Sequence, residues 1–460
     1  MRPPHSAQHL TAHSRAAECS TFLAELCCCA YLLHGRITES TEEAEACIAS
    51  MFRVLGLLGL LLRMGRCSLR HAKDYEEVCG WEWQEDYIRQ HRAIMSGEKR
   101  GRYVVAIPVK AGMADMIHGY ISAFMWALIS DRAFLIEHVG YLDDDTQRTI
   151  EFAYHPVYVN WTSPLLPRHV YKCLLPPYHG ECKGPNEGTT FFNGQNAVPY
   201  RLVFGVNGGF PLKFDKTNLI DEYKDDDLLI TVSNRGATVR IFDNPYHKEF
   251  LLNKLKLTPQ TAFPCFFHLL FHMNRDVCDE ACMHAAKVLH KAGKEGNHIR
   301  IGIHVRNPGG GAPEHFYCAD SLIERYKEKG YKTLVVLVTT SASLQAAAQN
   351  KYGESLILPA GQPKEAEVVH DRSEGTWSRE NSAELDRRGV IDSARDYYIL
   401  SLTDIQVLSR ESGFGVVGSM LGLRREHVMY RMELKGEQRQ CSSEPEGDNI
   451  TVFANEWSGL

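Results

Sequence analysis

The sequence predicts an α/β protein built on parallel, Rossmann-like sheets, and three observations carry that prediction. Short apolar, β-rich runs at residues 103–109, 133–137, 299–305, 333–339 and 405–409 alternate with segments of helical period. Such alternation places helices on the faces of a parallel sheet. The run at 299–305 is rich in β-branched residues, with Ile299, Ile301, Ile303 and Val305, as a buried strand is. The chain has 460 residues, more than one ordinary domain, so at least two are expected.

Apolar residues make up 44% and charged residues 23%, a globular balance. The formal net charge of -6 gives no reason to expect a nucleic-acid partner. Of 14 cysteines, five precede Met51 and nine follow it. That many scattered cysteines point to an oxidising compartment, and an odd nine leaves at least one unpaired in the body. Cys278, Cys282 and His284 have the chemistry of metal ligands, but no second pair stands at zinc-site spacing, so no metal is expected. Asn160-Trp161-Thr162 and Asn449-Ile450-Thr451 are glycosylation sequons.

Residues 1–50 read as a tail, in which His5, His9 and His13 form a solvated pattern rather than a metal site. In the segment 51–67, Arg53 precedes an apolar core of signal-sequence length, too short for an ordinary membrane span. Three readings stay open: a signal anchor behind a long tail, Met51 as the working start, or an apolar helix of a soluble protein. An anchor would make the chain a single-pass type II membrane glycoprotein of the Golgi or secretory lumen; the last reading leaves it cytoplasmic. Residues 68–100, with Trp81 and Trp83, read as a charged helical stem.

A first α/β domain is expected over 101–295. Between its strands at 103–109 and 133–137, Met113, Met116, Ile117, Tyr120, Ile121, Phe124 and Leu128 recur with a 3.6-residue period, a helix over 113–130. Residues 140–260 are rich in Pro, Gly and Tyr and give no clear order of elements. Residues 265–292 read as helical and bridge to a second domain over 296–432. There, strands at 299–305, 333–339, 355–359, 405–409 and 427–430 alternate with helices at 319–329, 343–352, up to about 402, and 414–421. The long helix before residue 402 is expected to bury Ile391, Ala394, Tyr398 and Leu402. A polar loop covers 360–378, and the tail, 433–460, reads as loose. Runs of aspartate at 143–145 and 225–227 read as solvated loops, not as a D-x-D metal motif.

Three places in the second domain can converge on one ligand. The strand at 299–305 delivers His304 and Arg306 to its carboxyl end, where open α/β sheets bind ligands. An arginine there offers a forked, permanent charge suited to phosphate. Asn307, Gly309, Gly310 and Gly311 follow and let backbone approach a ligand. The long helix bears Asp396. The third place is the strand-to-helix turn 409–415, SRESGFG, whose helix start offers backbone N–H groups to an anion, with Ser412 adding a hydroxyl. No G-x-x-x-x-G-K-[ST] occurs and no G-x-G-x-x-G follows a strand, which disfavours P-loop kinases, sulfotransferases and dinucleotide oxidoreductases. A diphosphate held by an arginine and a helix start, between two α/β domains, suggests a nucleotide-sugar transferase.

Four segments then resemble the fucosyltransferases that use GDP-fucose, most closely the α-1,6 type and more distantly the plant α-1,2 and protein O-fucosyltransferases. They are GMADMIHGYISAFMWALISDRAFLIE (112–137), IGIHVR (301–306), LVVLVTTSASLQAAAQNKYG (334–353) and RGVIDSARDYYILSLTDIQVLSRESGFG (388–415). The resemblance implies a GT-B-like fold of two Rossmann-like domains, with GDP-fucose bound by the second and a glycan or glycoprotein acceptor by the first. It implies inverting transfer of fucose with no cofactor or metal. By the same resemblance, Arg306 and Ser412 bind the β-phosphate, with Asn307, Gly413 and Phe414 beside them. His304 and Asp396 contact guanine. Glu314 is the candidate general base, with Glu137 or Asp115 next in line, and His118 and Glu137 lie on the acceptor side. The sequence departs from the α-1,6 type in holding Asn307 where that type has a second arginine, and Gly310 where it has a lysine. It also holds Thr339-Thr340-Ser341 where that type is acidic, and no SH3-like domain follows residue 432. These departures leave the acceptor open. They also leave two rivals: a transferase of this fold using another nucleotide sugar, and a non-catalytic GDP-sugar or glycan-binding protein.

Overall fold

Two mostly parallel sheets, joined through a shared helical core, carry the chain in the computed structural model. It describes residues 75–107, 112–137, 150–164, 166, 187–204, 214–233, 236–306, 316–360, 382–409, 412–435 and 438–441. The signal-like segment 51–67, the aspartate run 143–145, the sequon at Asn449, Asn307 and Glu314 lie outside the described residues. No described helix is long and apolar enough to cross a membrane.

Helix α1 (Glu82–Met95) leads into β1 (Tyr103–Ile107), α2 (Met113–Ile129) and β2 (Ala133–Ile136), the expected β-α-β unit. A short strand β3 (Tyr154–His155) follows, then β4 (Glu187–Phe192), β5 (Gln195–Phe204) and β6 (Leu228–Val232). The first sheet has the order β2-β1-β6-β5-β4, with only β4 antiparallel to its neighbour. Asn193 and Gly194, at φ 46° and 77°, make the β4–β5 turn; both centres need the left-handed region, which Asn and Gly tolerate.

Helices α3 (Thr238–Asp243) and α4 (Pro259–Leu270) come next. Thr258 and Thr261 cap α4 reciprocally, and Pro259 occupies its first turn, where no N–H is needed. The helix expected across 265–292 is broken. After Leu270 the chain turns extended, and β7 (His272–Met273) pairs antiparallel with β3 before α5 (Glu280–Glu295) begins. Asp279 caps α5 by accepting the Cys282 N–H at 3.0 Å. Cys278 and Cys282 form a disulfide there, so their thiolates are not metal ligands.

The second sheet follows: β8 (His298–Val305), α6 (Tyr317–Glu328), β9 (Lys332–Thr339), α7 (Ala342–Tyr352), β10 (Leu356–Ile357), α8 (Ser382–Ser401), β11 (Ile405–Ser409), α9 (Gly413–Met420) and β12 (Val428–Lys435). A last strand, β13 (Gln438–Cys441), completes the order β10-β9-β8-β11-β12-β13. All neighbours are parallel except β13, which returns along β12 and brings Cys441 to a disulfide with Cys318 on α6. The chain after residue 433 is therefore a paired edge hairpin as far as Cys441, not a loose tail.

Alternate residues of β8 pack to opposite sides, with Ile301, Ile303 and Val305 in one core under α6 and α7. Helices α5 and α8 cover the other side, through Leu289, Ile399 and Leu400 against Val336 and Val338. Val390, Ala394, Tyr397 and Leu400 form the most buried stripe of α8, whereas the expected Ile391 and Tyr398 are only partly buried. Two adjacent apolar residues at several turns made that rotation ambiguous. One core joins the two halves: Val416, Val417 and Met420 of α9 belong to the same cluster as Ile117, Ile121 and Phe124 of α2. The helix read as a stem, α1, buries Trp83, Tyr87 and Ile88 in that cluster, and Cys79 just before it is disulfide-bonded to Cys265 on α4. The aspartates at 226 and 227 are not freely solvated. Asp226 is 7% exposed and takes the Arg201 Nε at 2.8 Å, and Asp227 pairs with Arg100 at 2.8 Å.

Candidate functional site

The site forms where β8 and β11 end side by side. β8 is central and hydrogen-bonded on both sides, so its carboxyl end is fixed. Arg306 is the first residue beyond it and is exposed. The Arg306 backbone N–H donates to Ser409 Oγ at 3.0 Å, and that hydroxyl in turn donates to the His304 carbonyl at 3.3 Å. Ser409 therefore pins the exit of the arginine from the sheet. Sequence reasoning placed Ser409 in the turn 409–415 but did not foresee this pinning role; its place as the last residue of the neighbouring strand was the available signal. No side-chain partner binds the Arg306 guanidinium among the described residues.

His304, two residues earlier, turns inward and is 5% exposed. Its ring stacks on Phe414 with centroids 5.0 Å apart and planes at 17°. Its Nδ1 lies 3.3 Å from Ser412 Oγ. Ser412 is the N-cap of α9, and its hydroxyl also accepts the Gly415 N–H at 3.3 Å. A side chain at Gly415 would be tight: a Cβ there would stand 3.0 Å from His304 Nδ1 and 3.0 Å from Leu408 Cδ2, so both neighbours would have to give way. Glycine thus lets the first turn of α9 close onto the strand ends. That turn has backbone N–H groups without intrahelical acceptors and the positive end of the helix dipole, and Ser412 at its start lies beside His304, two residues before Arg306. Arg306, His304, Ser412, Gly413 and Phe414 are in this way brought to one place.

Asp396 lies on α8 with its side chain 26% exposed, and Arg395 Nε stands 3.8 Å from Oδ1. Burial raises its carboxyl to about 7; Arg395 pulls it down and Asp392 pushes it further up. The next residue, Tyr397, is fully buried, and its ring lies 4.4 Å from Phe414. The charged groups acting on its hydroxyl are Asp115, Asp396 and Arg306, with Tyr154 beside them. Asp115 stands on the first turn of α2, so the first half also contributes to this place.

The two residues expected on the acceptor side are both buried, at 1% exposure each. Glu137 follows β2 and gives its backbone N–H to the Ala106 carbonyl at 3.0 Å. His118 packs its ring 5.3 Å from Phe263, facing the Gly413 backbone, and burial lowers its pKa to about 3, so it stays neutral. Among the described residues no group of three or more His, Cys, Asp and Glu is arranged to hold a metal ion.

No protein-family model and no curated protein matches the sequence. Among solved structures, a mutant of Arabidopsis thaliana FUT1 in complex with GDP is similar at 16% identity, over 82% of each chain, with a TM-score of 0.50. Fucosyltransferase NodZ from Bradyrhizobium is similar at 14% identity over 75% of this chain and 100% of that chain, with a TM-score of 0.40. A glycosyl transferase of family 9 from Veillonella parvula matches at 12% identity over 69% of this chain and 78% of that one, with a TM-score of 0.28. The first likeness bears on fold alone, and the other two add nothing to it. With the two parallel sheets described above, the chain has a mixed α/β, GT-B-like architecture.

Proposed function

We propose that the chain is a glycosyltransferase that moves fucose from GDP-fucose to a hydroxyl of a glycan or glycoprotein, with inversion and without a metal. One observation carries this reading. An exposed arginine leaves a rigid, buried strand beside a serine-capped helix start, with no protein side chain matched to its charge among the described residues. Two such anion-seeking groups side by side suit a diphosphate. The fold likeness to a protein whose structure is in complex with GDP supports the nucleotide.

In this mechanism Arg306 and the α9 turn hold the β-phosphate, and Asp396 accepts hydrogen bonds from guanine. As the bond from the anomeric carbon to the diphosphate breaks, negative charge grows on oxygens that already face fixed donors, which lowers the barrier. A carboxylate takes the proton of the incoming hydroxyl. Glu314 is the first candidate, and Asp115 is the second, because it shares the Tyr397 hydroxyl's surroundings with Arg306. Glu314→Gln is expected to lower turnover roughly 10²–10⁴-fold with GDP affinity nearly intact; normal turnover would pass the role to Asp115, to be checked with Asp115→Asn. Disulfides at Cys79–Cys265, Cys278–Cys282 and Cys318–Cys441, and an exposed Asn160, support an oxidising, secretory location. Expression in a eukaryotic cell should then give a glycosidase-sensitive mass shift.

The test of activity is incubation of the full chain with labelled GDP-fucose and an array of glycans and glycopeptides. Label on an acceptor, with GDP released in equal amount, is the expected result. Transfer only from another nucleotide sugar would move the donor assignment, and GDP binding with no transfer would make the chain a binding protein.

A further inference from the structure

Tyr397 has a ring that is fixed and a hydroxyl that is not. The side chain is fully buried. Its ring packs against Phe414, whose other neighbour is the His304 ring, so three rings lie in series across the start of α9. Gly418 makes room for it: a Cβ there would come within 3.3 Å of Tyr397 Cδ1. The hydroxyl, by contrast, is buried and meets no hydrogen-bond partner among the described residues. Buried polar groups are almost always paired, and one left unmet beside a candidate site points to a ligand that completes it.

The surroundings say which ligand. Among the described residues, four groups act on this hydroxyl: Arg306 just beyond β8, Asp115 on α2, Asp396 on α8 itself and Tyr154 on β3. Burial, Tyr154 and the two carboxylates hold the phenol far above its ordinary range, and Arg306 only partly opposes them, so the hydroxyl keeps its proton and serves as a donor. Neither carboxylate is bonded to it. Arg306, the one cation acting on it among the described residues, is the group that gathers an anion on the functional reading.

We propose that the Tyr397 hydroxyl donates a hydrogen bond to the β-phosphate of the bound nucleotide sugar, beside Arg306, which makes it a further donor-binding residue. The inference rests on the proposed diphosphate site. It gives α8 a second task, because Asp396 and Tyr397 then reach the two ends of one nucleotide from adjacent positions. The bond tightens as charge develops on the departing diphosphate, so its loss acts on turnover as well as on binding.

The experiment compares the wild-type chain, Tyr397→Phe and Arg306→Ala by calorimetric titration with GDP and with GMP, and by the thermal midpoint without ligand. Tyr397→Phe keeps the ring and removes only the hydroxyl. The expected result is a midpoint unchanged or raised, because no protein bond is lost, with GDP affinity roughly tenfold weaker and GMP affinity unchanged. A lowered midpoint with unchanged GDP affinity overturns the inference, since the hydroxyl would then serve the fold. So does equal loss for GMP and GDP, which would put the contact on guanosine or the α-phosphate. If the wild type binds GDP and Arg306→Ala weakens it while Tyr397→Phe does not, this inference alone fails. If the wild type binds no GDP, the functional reading fails and takes the inference with it.

Discussion

An arginine stands near each end of strand β8, Arg300 within it and Arg306 just beyond it, and the two have opposite fates. Arg300 lies at the amino end of the sheet, its side chain 17% exposed. Its backbone N–H and its Nε both reach Asp404 Oδ2 at 2.9 Å, its Nη2 pairs with Oδ1, and its Nη1 donates to the Leu289 carbonyl. Every direction of its fork is used within the protein. Arg306, six residues on, is anchored only through its backbone, and its guanidinium faces outward with no partner among the described residues. A parallel sheet presents both arginines on rigid backbone, and what separates them is what stands opposite. The amino edge supplies a carboxylate that closes the charge; the carboxyl edge supplies a serine-capped helix start, which attracts anions and so leaves the arginine for a ligand. Composition cannot distinguish these two arginines, whereas their partners can.

That contrast can be broken most sharply by removing each arginine in turn. Arg306→Ala is expected to lose roughly 3–4 kcal/mol of transition-state stabilisation, a factor of about 10²–10³ in turnover. Its ligand-free thermal midpoint should barely move. Arg306→Lys should recover only part of the activity, because an ammonium cannot make two parallel bonds to phosphate. Arg300→Ala should do the reverse. It removes the ion-pair partner of a partly buried Asp404, so a stability loss of about 1.5–3 kcal/mol by denaturant titration is expected, with GDP affinity close to wild type at temperatures where the variant is folded.

A smaller effect sharpens the comparison at the guanine end. The Asp396 carboxyl is raised to about 7 by burial. Its ordinary value is roughly 3.9, so between about pH 4 and 7 the folded ligand-free chain holds a proton that the unfolded chain has lost. That contribution to stability is complete at low pH and is lost as pH rises through about 7. Guanine N–H groups favour the carboxylate, so GDP affinity should fall as pH drops below about 7, and binding near pH 6–7 should release a proton. Asp396→Asn should remove both the proton release and the pH dependence, read by calorimetry in two buffers of different ionisation enthalpy.

The second sheet was legible because its strands are rich in aliphatic, β-branched residues and are separated by helices of ordinary length. The position of Arg306 at a strand end and of Ser412 at a helix start followed from the same pattern. The region 140–260 was not legible, although Phe192-Asn193-Gly194-Gln195 holds the strongest short hairpin signal there is; the flanking strands mix Thr, Asn, Pro and Arg, which masks their alternation. The edge hairpin of β12 and β13 escaped for a related reason, since residues 435–440 hold no apolar residue that would mark a strand in the sequence. Tyr397 escaped because Tyr397 and Tyr398 are equivalent in type, and only packing decides which one turns inward.

The most direct test of the central claim is the ratio of GDP to GMP affinity, measured by calorimetry on the wild-type chain and on Arg306→Ala. GMP lacks the β-phosphate assigned to Arg306. The account predicts that the wild type binds GDP at least roughly tenfold more tightly than GMP, and that this ratio collapses toward one in Arg306→Ala while GMP affinity holds. A ratio that survives the substitution unchanged would contradict the account and put the diphosphate elsewhere in the chain.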